Sequence, residues 1–149
     1  MKPLAILILA LSLGGQLYAA TNTNVRVFAL ESLGEGTTVF SIPQAKAAAQ
    51  PRWTPESPAQ PPLSIYKACS LAKQALANRG KTVAEWRMLD CALREFLDGG
   101  YPDRWFYVVG FYRPMSARAA RAAERTNDFI ESVVVLMDGT VVEPNLKPR

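Results

Sequence analysis

A chain of 149 residues with 17 Lys and Arg against 13 Asp and Glu, a net charge of +4 and no histidine excludes several kinds of protein. Without an imidazole there is no Ser-His-Asp or Cys-His activation of a nucleophile and no His-based metal site. The small positive excess favours solubility and weak attraction to acidic surfaces without demanding a nucleic-acid partner.

Lys2 precedes an unbroken apolar run from Leu4 to Leu13, followed by Gly14, Gly15 and the small pair Ala19 and Ala20. Charge, apolar segment and small-residue cleavage site, in that order, predict a secretory signal over residues 1–20, cut after Ala19 or Ala20. Gly14, Gly15 and Gln16 interrupt the run short of the ~20 apolar residues that a span requires. The expected mature protein is therefore periplasmic or secreted, with no stable membrane span after cleavage. Removing Lys2 from the 17 Lys and Arg leaves 16 against 13 acidic residues, so the mature chain is mildly basic. Its length of about 130 residues fits one domain with a modest core. Export also puts intracellular nucleic acid out of reach. In the oxidising compartment that a signal implies, Cys69 and Cys91 read as one disulfide. Two separately buried thiols are the alternative, and a separation of 22 positions excludes a redox CxxC pair.

Residues 21–62 read as an extended N-terminal arm and Pro-rich linker. Val25, Val27 and Phe28 to Leu30, then Val39, Phe40 and Ile42, suggest two short extended segments around Gly34 and Gly36. From Pro43 to Pro62, six prolines among Ala and Gln oppose any sustained helix or central strand. Trp53 stands out there, because an indole in such a segment usually docks as an anchor.

Residues 63–144 are expected to form an α+β domain. Ser64 is placed to cap a helix that runs toward Gly80, with Ile65, Ala68, Cys69, Ala72 and Leu76 on one face. Two periods fit Thr82 to Asp98. A helix would use the capping-box spacing of Thr82 and Glu85 and stop at Gly99 and Gly100. A strand would alternate Leu89, Cys91 and Leu93 against Asp90, Ala92 and Arg94. The strand is preferred, because only then does Cys91 share the inward face that lets it meet Cys69. Arg104 to Tyr112, RWFYVVGFY, is dense in aromatic and β-branched residues and predicts a central strand. An alanine-rich insert over 115–125 carries Arg118, Arg121 and Arg125 at helical spacing. Ile130 to Met137, Asp138-Gly139 and Thr140 to Val142 give a hairpin with an Asp-Gly turn. Residues 145–149 are expected to be a loose tail.

PPLSIYKACSLAKQAL at 61–76, DRWFYVVGFY at 103–112 and VVVLMDGTVVEP at 133–144 together resemble small exported bacterial domains of uncharacterised function with a PepSY-like or cystatin-like plan. The resemblance covers about residues 61 to 144. It implies one main helix packed on a curled antiparallel sheet of about four strands, and a binding or inhibitory module with no catalytic residue to carry over. The arginine-bearing insert and the cysteine pair depart from that plan.

With histidine absent and both thiols read as bridged, carboxylates are the remaining catalytic candidates. A glycosidase-like pair must be held about 5 to 9.5 Å apart in a cleft, whereas most surface carboxylates are solvated or paired with arginine. Arg118, Arg121 and Arg125, joined by Arg113, form a candidate stripe for an acidic partner, weighed against a solvated face with Glu124 as counter-charge. Trp53, Trp105 and Tyr107 are candidate groove residues, weighed against core packing. The sequence thus points to an exported non-catalytic binding or inhibitory module recognising a protein or envelope polymer, with no cofactor or metal. The alternatives are a carboxylate-based hydrolase acting on a cell-wall or glycan substrate, and a structural exported subunit with a large apolar patch.

Overall fold

The computed structural model describes residues 24–32, 36–96, 100–115 and 129–147. The expected signal and the arginines at 118, 121 and 125 lie outside the described residues.

The architecture is α+β, with two antiparallel sheets and one main helix. Strands β1 (Asn24–Ser32), β2 (Gly36–Pro43) and β7 (Pro144–Lys147) form a sheet in the order β1-β2-β7. Strands β3 (Arg87–Glu95), β4 (Trp105–Tyr112), β5 (Ile130–Leu136) and β6 (Val141–Val142) form the other, in the order β3-β4-β5-β6. The expected single curled sheet is therefore corrected to two. The physical reason lies in β4 and β5, which carry large apolar side chains on both faces. Tyr107, Val109, Phe111, Val133 and Val135 form one buried cluster with Ala68, Ala72, Ala75 and Leu76 of helix α2 (Ile65–Asn78). Phe106, Val108, Val134 and Leu136 form a second with Val25, Val27, Phe40 and Ile42 of the N-terminal hairpin. One helix covers only one face of a sheet, so the hairpin becomes the third layer.

Helix α2 starts and stops where its sequence directs. Ser64 Oγ accepts from the Lys67 amide at 3.3 Å, satisfying one of the donors left free in the first turn. At the other end Gly80 takes φ +75°, its amide donates to Ala77 O, and the Lys81 amide donates to Leu76 O, the paired bonds of a Schellman stop. Ile65 is 45% exposed, so the inward face begins at Ala68 and not at Ile65. The Asp138-Gly139 turn joins β5 to β6 with Gly139 at φ +84° and the Thr140 amide donating to Asp138 Oδ1. Asx-type bonding and a left-handed glycine are the reasons that dipeptide turns a chain.

The ambiguous stretch is a strand. Thr82 and Glu85 produce a single 3₁₀ turn over Val83–Glu85, after which β3 pairs with β4 from Arg87↔Tyr112 to Glu95↔Trp105. A bulge between Met88 and Asp90 interrupts the alternation. Cys91 and Leu93 consequently pack on the helix side, while Leu89 is 61% exposed and does not share their face.

Three parts of the N- and C-terminal reading differ from the structure. The segment after β2 is not wholly extended, because Gln44–Ala48 form one turn of helix (α1) with Pro43 at its start. A proline is tolerated there since its missing N–H would be unpaired in any case. The hairpin before it is part of the core. Residues 145–147, expected to be loose, continue from Pro144 as a strand that pairs with β2 from Phe40↔Pro144 to Thr37↔Lys147, with proline at the first strand position, where the ladder tolerates it. Only Glu143 separates β6 from β7, so the chain passes from one sheet to the other at that corner. Among the described residues no helix is long and apolar enough to cross a membrane.

If the hairpin is structural, truncating Phe40, which is 1% exposed, will lower the stability of the whole protein. Phe40→Ala should cost about 3–5 kcal/mol, read as one cooperative urea transition moved to lower concentration. A second, separate transition would mean that the hairpin folds apart from the rest.

Candidate functional site

The two sheets are joined at one side and parted at the other. At the joined side, the β6 to β7 crossing and the pairing of β7 with β2 close the gap. At the parted side lie β1 and β3, the free edges of their sheets. Between them is a cleft of about 230 Å³ lined by Val27 and Phe28 of β1, Leu93, Arg94 and Glu95 of β3, and Trp105 and Phe106 of β4.

Sequence alternation builds each wall. Arg94 is opposite Phe106 and Leu93 is opposite Tyr107, so arginine and leucine leave β3 on different faces of the sheet. The Arg94 guanidinium lies 5.4 Å from the centre of the Phe28 ring, a cation–π contact across the cleft. It makes no ion pair among the described residues. Glu95 is occupied, since its Oε1 accepts from the Asp103 amide at 3.0 Å. The cleft lining thus carries one cation and one carboxylate. Both bordering strands are bulged, β1 between Arg26 and Phe28 and β3 between Met88 and Asp90.

Trp53 and Trp105 meet, as the sequence suggested for an anchoring indole. Their rings stand edge to face at 5.8 Å and 78°. The Trp53 amide donates to Asp103 O at 3.0 Å, and its Nε1 donates to Ala59 O at 2.7 Å. A lone bridge pairs Arg52 with Arg104, and Arg104 Nη2 donates to Ala48 O. Asp103 supports this strap from φ +61°, a left-handed conformation that aspartate tolerates better than most residues. Trp53 therefore braces the back of Trp105. Tyr107 lies elsewhere, 3% exposed beneath the helix, with its hydroxyl donating to Leu63 O at 3.0 Å. It belongs to the core and not to a surface.

Cys69 on α2 and Cys91 on β3 are free, half-buried thiols that lie near one another. Burial, then the hydrogen bonding and charge of Cys69 and the charge of Asp90, push the Cys91 thiol up to about 12. Burial and the nearby thiols also raise the Tyr107 hydroxyl. Such a thiol is almost wholly protonated at neutral pH and is a poor nucleophile.

The carboxylates with described partners are engaged in structural contacts. Glu143 pairs with Arg79 at 3.2 Å, Glu131 with Lys81 at 2.9 Å, and Glu85 with Arg113 at 4.0 Å. Asp138 pairs with Lys46 of α1. Gln50, 3% exposed, accepts from the Asp138 amide. A second, more open hollow of about 470 Å³ is lined by Ala84, Glu85, Arg87, Arg113 and Pro114. There the Arg113 guanidinium lies over Trp86 at 5.9 Å.

Of the candidate binding residues, Trp105 lines the cleft, Trp53 supports it and Tyr107 is core. Phe28, Leu93 and Arg94 were not singled out by sequence. Alternation placed Leu93 and Arg94 on opposite faces of a strand, but no local signal brings β1 beside β3. Comparison with protein-family models, with characterised proteins and with solved structures found no match to this chain.

The Asp138 contact yields a pH dependence. Partial burial acts to raise its carboxyl, but hydrogen bonds from Lys46, Thr140 and Gln50 outweigh it and hold the group at about 2, below the ordinary 3.8. A folded value below the unfolded one gives stability that is present above the ordinary value and lost as pH falls toward 2. Asp138→Asn should therefore flatten the fall in denaturation midpoint between about pH 4 and 2. Equal slopes in the two proteins would assign that fall to other carboxylates.

Proposed function

We propose that the chain is an exported, non-catalytic binding module that takes an envelope or extracellular partner at the open side of its sandwich. The observation that carries the reading is the cleft between β1 and β3, which combines aromatic walls, one cation without a carboxylate partner among the described residues, and two strand edges. Concave apolar sites with a few fixed polar groups are the usual places for ligands, and free edges are a common means of capturing partner chains. The N-terminal charge, apolar run and small-residue pair support export to the periplasm or beyond. A single helix lying on a four-stranded antiparallel sheet fits the PepSY-like or cystatin-like plan, and the three-stranded sheet is an addition to it. The engagement of Asp138, Glu131 and Glu143 with cations weighs against the hydrolase alternative, since a catalytic carboxylate pair needs a proton-accepting member free to work.

The same reading closes Cys69 and Cys91 into a disulfide after export. The two free thiols lie near one another across α2 and β3, short of bonding distance, and closing the bond needs a further approach. The two thiols would give up two protons and two electrons to a disulfide oxidant of the compartment, which is reduced to a dithiol. That bond would fasten the helix to the strand bordering the cleft.

Two measurements test these points. A photo-crosslinking side chain at Phe28, which faces Arg94 across the cleft, should trap a partner from an envelope extract, whereas the same group at Lys73, on the exposed side of α2, should trap none. Equal capture at the two positions would remove the cleft from consideration. Non-reducing mass analysis of the exported protein should find a chain lighter by two hydrogens and beginning after Ala19 or Ala20. Two alkylatable thiols in that form would contradict the bridge, and an intact leader would contradict the cleavage.

A further inference from the structure

The outer edge of β3 carries a pattern that is complementary to itself. Phe96 donates its amide to Arg104 O, toward β4, and the backbone groups of successive strand residues turn in opposite directions. Those of Arg94, Ala92 and Asp90, which stand opposite Phe106, Val108 and Gly110, therefore also turn toward β4. Those of Leu93 and Cys91 turn outward, to an edge that no strand covers among the described residues. The bulge between Met88 and Asp90 marks where this regular edge begins. Asp90, Ala92 and Arg94 share one face of the strand, so an acid and a base are placed symmetrically about a small residue. Both charged side chains are exposed, and neither makes an ion pair among the described residues. The ring of Phe28 beside Arg94 gives its N–H groups no acceptor oxygen. Asp90 Oδ1 lies over Gly110, in space that a Cβ there would fill, and a χ1 rotation carries it to the outer edge.

We propose that β3 pairs antiparallel with β3 of a second copy of this chain, across a two-fold axis through Ala92, so that the two four-stranded sheets become continuous. In this register Cys91 stands opposite Leu93 of the second copy, and Leu93 opposite its Cys91. Outward groups meet on both strands, so each pair exchanges both of its N–H···O bonds. Ala92 meets Ala92 on the axis. Asp90 meets Arg94 of the second copy on each side of it, in the pair type whose Cα atoms approach to ~4.5 Å and whose side chains lie closest. The neighbouring registers that also match outward groups are poorer. One centred on Cys91 runs the pairing into the bulge, and one centred on Leu93 sets Ala92 against Arg94 and Asp90 against Phe96. Because the contact is isologous, each favourable pair occurs twice. The edge is short, so the association is weak and reversible. The inference stands apart from the partner proposed for the cleft, since purified protein alone is enough to test it.

The test is sedimentation velocity of the purified exported protein over a range of concentrations. The average mass should rise from that of one chain toward that of two. Asp90→Arg and Arg94→Asp each set like charges opposite one another at both ends of the pairing, and each should weaken self-association by about tenfold. Mixing these two variants in equal amounts should restore association to about the wild-type strength, because every Arg then meets an Asp. The double variant Asp90→Arg with Arg94→Asp should likewise self-associate as wild type does. Both positions are exposed, so wild-type circular dichroism is expected throughout. If a charge variant misfolds, Ala92→Lys and Ala92→Glu give the same readout, since each meets itself on the axis and should associate only with the other. A single-chain mass up to ~1 mM would overturn the proposal. So would single variants that associate as tightly as wild type, or a mixture that associates no better than its components.

Discussion

Everything in this fold follows from β4 being buried on both faces. Phe106 and Val108 point one way, Tyr107, Val109 and Phe111 the other, and every one of them is nearly or fully buried. A strand of this kind cannot lie in a sheet with one wet face, because each large apolar side chain left in water forgoes roughly 1.5–3 kcal/mol. Helix α2 satisfies one face with three alanines and Leu76, small residues that let it lie close to the sheet. The second face requires a second layer, supplied by the N-terminal hairpin and its partner β7. The N-terminal segment is thus drawn into the structure by demand from the middle of the chain.

That demand also creates the open side. The last strands turn from one sheet into the other through a single residue, which fixes the layers together at one corner. At the opposite side β1 and β3 are not paired, and the Arg94–Phe28 contact spans the cleft between them. Both edges carry devices that discourage indiscriminate pairing, namely a bulge each and the charged residues Arg87, Asp90, Arg94 and Glu95 on β3. Such protection is compatible with selective recognition, because it limits a partner to a short stretch.

The polar contacts are arranged to hold the layers in register. Lys46 and Gln50, at and just beyond the short helix after β2, reach the Asp138-Gly139 turn between β5 and β6. Arg79, just past the end of α2, reaches Glu143 and Ser132 O. Asp103 ties β3 to the strap that carries Trp53. Each contact joins elements far apart in sequence. Such links between partly exposed groups add modest energy, and their geometry makes them more useful for orienting the layers than for stabilising them.

Local chemistry was enough to read the capped helix from Ser64 to its stop at Gly80, the Asp-Gly hairpin and the central aromatic strand, because each rests on short-range signals. Local periods left 82–98 open between helix and strand, and the preference for an extended 89–93 rested on turning Cys91 toward Cys69. Sequence alone also determined the absence of histidine chemistry, since that depends on composition. It could not determine that the N-terminal hairpin folds back as a layer, that the tail joins its sheet, or that Leu89 is turned outward by a bulge. Nor could it bring Phe28 beside Arg94, residues 66 positions apart. Those are decisions about which surfaces meet, and the free energy that makes them is the burial of the second face of β4 and β5, a quantity that exists only once the sheet has formed.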